Sequence, residues 1–137
     1  MGLVLDSSVA IAAERSGAPV EDWLAAIRAA NGSTEISLSV VSVMELEHGG
    51  WRAREPSRSQ RRLRFLEDLI GSVPVQPVTT EIARRAGRID GEQQAHGVRI
   101  AFQDLVIGAT ALELGCAVVT HNVRHFEMIP GLEVLRF

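Results

Sequence analysis

The chain contains no lysine and no tyrosine, and it has a single cysteine, Cys116. A lone cysteine excludes an internal disulfide framework and any cysteine-built zinc cluster. Lying beside a short apolar run, Cys116 is expected to be a small core residue. Four phenylalanines and two tryptophans leave too few aromatics for base stacking to drive a nucleic-acid contact, and Trp23 and Trp51 are expected to pack internally. No apolar run approaches the roughly 20 residues needed to cross a bilayer. The segment Met1 to Ala13 lacks the basic opening of a secretory signal and carries Asp6 inside its apolar stretch, so a soluble cytoplasmic domain is the expectation. No repeat, low-complexity stretch or linker interrupts the sequence. With 46% hydrophobic residues over 137 positions, one domain spanning 1–137 can be held by its own core.

Net charge is −3, which argues against a protein that coats nucleic acid indiscriminately. All 14 basic residues are arginine, and they are unevenly placed. Between Trp51 and Arg64 stand Arg52, Arg54, Arg58, Arg61, Arg62 and Arg64, opposed only by Glu55. A solvated helix face accounts for an arginine run taken alone. The planar guanidinium nevertheless suits phosphate better than an ammonium does, and acids and bases segregated along one chain suggest a basic rim beside an acidic centre.

Short apolar runs alternate with helical patterns. Gly2–Asp6 reads as a buried strand, after which Ser7 and Ser8 can cap a helix through Val9, Ile11 and Ala12. Gly17 breaks that helix, and Pro19 opens the next, which carries Trp23, Leu24 and Ile27. Ile36–Ser39 is a second strand, followed by a helix with Val40, Val43, Met44 and Leu46 that Gly49-Gly50 is expected to end. A helix from Pro56 presents Leu63, Leu66, Leu69 and Ile70 as its stripe, and Val73–Val78 is a strand whose two prolines confine it to an edge or an end. Thr79 and Thr80 start a helix running towards Gly97. The most apolar helix follows Asp104 and closes at Gly115; Ala117–Thr120 and Leu132–Leu135 are the last strands, with a loop or one to two helical turns between them. The pattern is that of an α/β fold, a three-layer α/β/α sandwich around a short, mainly parallel sheet.

In such sheets ligands gather beyond the carboxyl ends of the strands. Asp6 ends the first strand, Asn122 lies just past the Ala117–Thr120 strand, Glu45 falls within two turns after the second strand, and Asp104 heads the apolar helix. Taken singly, Asp6 and Asp104 are more often helix caps, and Glu45 a solvated helix residue. Together they point elsewhere. Three carboxylates within about 5 Å repel by roughly 3 kcal/mol per pair at an effective dielectric of 20, so such a cluster must take up protons or a divalent cation. Oxygen donors without cysteine or a paired-histidine motif select Mg2+ or Mn2+ over zinc. The matching chemistry is metal-assisted phosphodiester hydrolysis. Among the histidines only His121 and His125 have i, i+4 spacing, and without the glutamate of a zincin they are expected to be structural or at the surface.

The ordered segments VLDSSV at 4–9, VVSVMELEHG at 40–49, QDLVIGATAL at 103–112 and VVTHNVRHF at 118–126 resemble the PIN-domain ribonucleases, and within them the VapC toxins of type II toxin–antitoxin modules. The resemblance runs over nearly the whole chain. Each motif is weak alone; four in order make a specific signal. The resemblance implies that Asp6, Glu45 and Asp104 are the metal-binding acids, completed by Thr120 and Asn122, with Ser7 or Ser8 in support. It selects Glu45 over Glu47, which points to a different helix face. Many PIN domains carry aspartate where this chain has Asn122, which implies one firmly held Mg2+ or Mn2+ and a weaker second. It further implies an RNA substrate such as tRNA or rRNA, cleavage to a 3′-hydroxyl and 5′-phosphate, homodimerisation, and inhibition by a VapB-like antitoxin whose tail crosses the site. Arg52, Arg54, Arg58, Arg61 and Arg62 are candidates to guide the RNA backbone.

Two other functions fit the sequence: a PIN nuclease of RNA processing with no toxin role, and a non-catalytic α/β interaction module. Growth arrest reversed by a neighbouring antitoxin separates the first from a toxin. A melting temperature indifferent to divalent ions marks the second.

Overall fold

The computed structural model describes residues 1–32 and 34–137. Five strands form the sheet: β1 (Leu3–Leu5), β2 (Ile36–Ser39), β3 (Val75–Gln76), β4 (Ala117–Thr120) and β5 (Val134–Arg136). Every pairing is parallel, in the order β3-β2-β1-β4-β5. Between them run α1 (Ser7–Ser16), α2 (Val20–Asn31), α3 (Val40–Arg52), α4 (Pro56–Ser72), α5 (Thr80–Ala95), α6 (Phe102–Leu114) and α7 (Val123–Glu127). The expected α/β sandwich with a parallel sheet is the architecture found. The proline-flanked β3 is indeed an edge strand.

Because side chains alternate across a strand, the central strands feed two cores. Leu3 and Leu5 join Ile36, Leu38 and Val119 against α1, α2 and α4, where Val9, Ile27, Leu66 and Leu69 are buried. Val4 and Val118 face the other way, onto Ile82, Ile89, Ile107 and Phe126 of α5, α6 and α7. Helix α6 is buried continuously from Leu105 to Ala111, as expected of a helix that is apolar all round. It ends at Gly115, whose φ of 65° suits a residue without a Cβ. Among the described residues no helix is long and apolar enough to cross a membrane.

The structure corrects four local expectations. Gly49-Gly50 does not end α3, which continues to Arg52. The two glycines serve close approach instead: a Cβ at Gly50 would stand 2.5 Å from Leu63 Cδ2, and one at Gly49 would stand 2.5 Å from Arg62 Nη1. Ser7 and Ser8 lie inside the first turn of α1, with Asp6 at the cap position and making no cap hydrogen bond. The buried stripe of α4 is Phe65, Leu66 and Leu69, while Ile70 is exposed. Trp23 packs in the core, but Trp51 is 74% exposed and gives its indole N–H to Glu47.

The topology positions the site. The chain builds β1, β2 and β3 in one direction and then crosses to β4 and β5 on the other side of β1, so the order reverses between β1 and β4. At such a switch point the loops after neighbouring strands diverge and leave a crevice at their carboxyl ends. Leu5 pairs with Val119, which places Asp6 beside Thr120 at the mouth of that crevice.

Candidate active site

Asp6 is 3% exposed, and its surroundings fix it firmly. Its Oδ2 accepts hydrogen bonds from the Ser8 hydroxyl at 2.7 Å and the Thr120 hydroxyl at 2.8 Å. Each hydroxyl has one proton, and both protons go to Asp6. The 3.3 Å approach of Ser8 to Thr120 is therefore a packing contact rather than a further hydrogen bond. The hydroxyl oxygens in turn accept from the backbone, Ser8 from His121 N at 3.0 Å and Thr120 from Asn122 N at 2.8 Å. This chain of bonds ties the loop after β4 to the start of α1. It also occupies one oxygen of Asp6 and, among the described residues, leaves Oδ1 without a side-chain donor.

Glu45 reaches the same region from α3. Ser39 caps that helix by accepting from Val41 N at 3.1 Å, and buried Ser42 hydrogen-bonds Leu5 O, which docks the first turns of α3 against the end of β1. Glu45 Oε1 is buried and, among the described residues, has no hydrogen-bond partner. Burial raises the Glu45 carboxyl above its ordinary value; the charge of Asp6 raises it further, the Ser7 hydroxyl works against the rise, and Asp104 adds to it. Glu47, two residues on, is exposed and taken by Trp51, so the inward glutamate is Glu45.

Asp104 sits in the first turn of α6. Its carboxyl is also raised, by burial first and by Asp6 second, while His125 pulls it back. The Nδ1 of His125 stands 3.5 Å from Asp104 Oδ2. The sequence pattern does not reveal this pairing. The i, i+4 spacing draws attention to His121 and His125 together, but α7 begins only at Val123, and His125 turns instead to the acid of another helix.

Asp6 thus lies close enough to raise both Glu45 and Asp104, and Asp104 close enough to raise Glu45. Among the described residues, no three of His, Cys, Asp and Glu already surround a common ion position. The donor set still fits a hard divalent cation: all-oxygen ligands, one of them a buried oxygen with no partner among the described residues, and two carboxyls raised by burial first and by the charge of Asp6 second. Asn122 is exposed at the cap position of α7, where its side chain makes no cap hydrogen bond; its backbone N–H is what supports Thr120.

The arginines divide. Arg62 is committed to Glu14 at 3.1 Å, with side chains only 12% and 7% exposed, so it is removed from the set free to meet a ligand. Arg52, Arg54, Arg58 and Arg61 are exposed.

The parallel sheet thus carries acidic residues at its topological switch point. The PIN-domain family model matches residues 3–131. Ribonuclease VapC10 of Mycobacterium tuberculosis is 36% identical over 131 residues, covering 96% of this chain and 90% of the relative. The tRNA(fMet)-specific endonuclease VapC of Salmonella typhimurium is 30% identical over 102 residues, 74% of this chain and 75% of the relative. Among solved structures, a DNA-bound VapBC complex from Salmonella typhimurium superposes with a TM-score of 0.83 at 26% identity, over 99% of this chain and 98% of that one. The chain belongs to the VapC ribonucleases of the PIN-domain family.

Proposed function

We propose that the protein is an Mg2+- or Mn2+-dependent endoribonuclease acting as the toxin of a VapBC-type pair. The single observation that carries the metal dependence is Glu45 Oε1, buried without a partner among the described residues beside Asp6 and Asp104, whose charges add to the rise of its carboxyl. A buried, unsatisfied carboxylate oxygen costs stability unless something neutralises it, and a bound cation does so. The interaction-module reading offers no use for such an atom.

Asp6, Glu45 and Asp104 would hold the ion. When bound, it supplies a lowered pKa for coordinated water and neutralises charge on the phosphate. The protein's own part is positioning. Ser8 and Thr120 fix Asp6 through Oδ2 and so present Oδ1 in one orientation. Exposed at the rim, the Asn122 amide is suited to orient a water or a phosphate oxygen. Water attacks phosphorus, the P–O3′ bond breaks and the departing 3′ oxygen takes a proton, which leaves a 3′-hydroxyl and a 5′-phosphate. The name of the Salmonella typhimurium relative supports tRNA as a substrate, and the VapBC complexes support a VapB-like antitoxin as partner. A homodimer completes the reading.

The test is cleavage of total tRNA and rRNA by purified protein with Mg2+ or Mn2+. Asp6→Asn and Asp104→Asn should abolish it, and EDTA should do the same. Substituted proteins that cut as well as the parent would overturn the assignment.

A further inference from the structure

We propose that a groove formed where α1, α3 and α4 meet holds the RNA backbone on one side of the scissile phosphate; the inference rests on the ribonuclease reading above. The groove encloses about 710 Å3 and is lined by six arginines, among them Arg15, Arg52, Arg54, Arg58 and Arg61, against two glutamates. The sixth, Arg62, and one of the glutamates, Glu14, are paired with each other at 3.1 Å and largely buried. The other glutamate, Glu55, lies 3.5 Å from Arg58 with side chains 66% and 68% exposed, where an ion pair is weak. The groove therefore presents guanidinium groups over a neutralised floor.

Helix geometry joins this groove to the acidic centre. Arg52 follows Glu45 by seven residues on α3, and Arg15 follows Ser8 by seven on α1. Seven residues are close to two turns, so each pair shares a helix face at a separation of about 10 Å. Both helices begin at the carboxyl edge of the sheet. A strand of RNA with one phosphate at the acids can thus continue along the same two helices into the arginines. A protein of net charge −3 with carboxylates at its centre repels a polyanion unless local positive charge recruits it. Guanidinium forks supply that charge with geometry suited to phosphate oxygens.

The experiment measures binding apart from cleavage. Fluorescently labelled tRNA is titrated with the full chain in EDTA, by anisotropy, over a series of monovalent salt concentrations. The combined variant Arg52→Ala/Arg58→Ala/Arg61→Ala should bind about tenfold or more weakly at low salt, and its log K against log salt slope should shrink by about 0.7 for each phosphate no longer neutralised. With Mg2+ restored, KM for tRNA should rise while kcat holds. Arg84→Ala, on the exposed face of α5, should change neither quantity. The corresponding triple lysine variant should recover most of the salt slope. If the triple alanine variant does not fold, Arg52→Ala and Arg61→Ala are read singly for the same slope. Unchanged affinity and slope in folded variants overturn the proposal. So does weakened binding of poly-glutamate with tRNA binding intact, which would assign the groove to an acidic polypeptide. Failure of the ribonuclease reading looks different: the parent binds tRNA with the predicted slope but cuts nothing when Mg2+ is added.

Discussion

The hydroxyl of Thr120 donates to Asp6 Oδ2 across 2.8 Å, joining residues 114 positions apart in sequence. Adjacent strands bring them together, since Leu5 pairs with Val119. Thr120 also accepts the Asn122 N–H, so one buried side chain orients the acid and shapes the loop beyond β4.

Replacing it with an isostere that cannot hydrogen-bond tests both roles. Thr120→Val keeps the volume, removes one of two donors to Asp6 and strands the Asn122 N–H. A loss of about 1–3 kcal/mol is expected in urea denaturation, the usual range for an unsatisfied buried group. The rise in melting temperature that the proposed metal site predicts for Mg2+ should also shrink, because Asp6 is less firmly aimed. Thr120→Ser should retain most of both. A valine variant with the parent's Mg2+ response would remove Thr120 from the supporting role.

The raised carboxyls of Glu45 and Asp104 make a signed prediction about pH. Their ordinary values are 4.5 and 3.8, and both bind protons more tightly folded than unfolded. Their contribution to stability is therefore complete below those ordinary values and is lost as pH climbs through the raised ones. In EDTA, Glu45→Gln and Asp104→Asn should each reduce that loss, and each variant should melt higher than the parent at pH 7. A divalent ion competes with the same protons, so the parent's gain in melting temperature from Mg2+ should grow across the mildly acidic range and then level off. At an ion concentration about 100 times Kd the gain corresponds to about 2.7 kcal/mol. Melting curves of the parent and the two variants at several pH values, with and without Mg2+, decide it. A Mg2+ effect that weakens as pH rises would contradict the assignment.

How much of this was legible in the sequence depends on how many structural uses a residue has. Asp6, Glu45 and Asp104 could be singled out because strand ends and helix starts are visible in the apolar pattern, and a parallel sheet brings its carboxyl ends to one edge. The network around Asp6 was legible only in part: the resemblance placed Thr120 and Ser7 or Ser8 in support, but serines at a helix start serve equally as caps, and the β1–β4 pairing is what shows that Ser8 serves the acid. The pairing of His125 was not legible for a similar reason. Its partner, Asp104, lies 21 positions back on another helix, out of reach of any local spacing rule. Gly49-Gly50 misled because glycine both stops helices and lets them touch. Trp51 misled because nothing local shows that the last turn of α3 projects into solvent.

The role of the glycines can be checked directly. Gly50 lies in the interior of α3, where alanine would ordinarily gain up to about 1 kcal/mol in helix propensity. Here the added Cβ would meet Leu63 Cδ2 at 2.5 Å, well inside contact distance. Overpacking of this kind costs about 1–3 kcal/mol, so Gly50→Ala should be destabilising in denaturant titration. A more stable variant would show that α3 and α4 can separate at small cost.

The Arg62–Glu14 pair separates scaffold from ligand surface within one arginine-rich stretch. Both side chains are nearly buried, and Arg62 is the one arginine of the candidate set whose charge is met inside the protein. Removing one partner leaves the other as an uncompensated charge, which typically costs about 3–5 kcal/mol in a buried setting. Glu14→Gln and Arg62→Met should each lower stability strongly. The double variant Glu14→Leu/Arg62→Met, which buries no charge, should recover most of the loss. Arg58→Ala makes the contrast, since its pairing with Glu55 is exposed and should contribute between 0 and about 1 kcal/mol. Urea denaturation of the four proteins distinguishes the two kinds of arginine. Should Arg62→Met cost no more than Arg58→Ala, the pair is not part of the scaffold, and Arg62 returns to the set of residues available to phosphate.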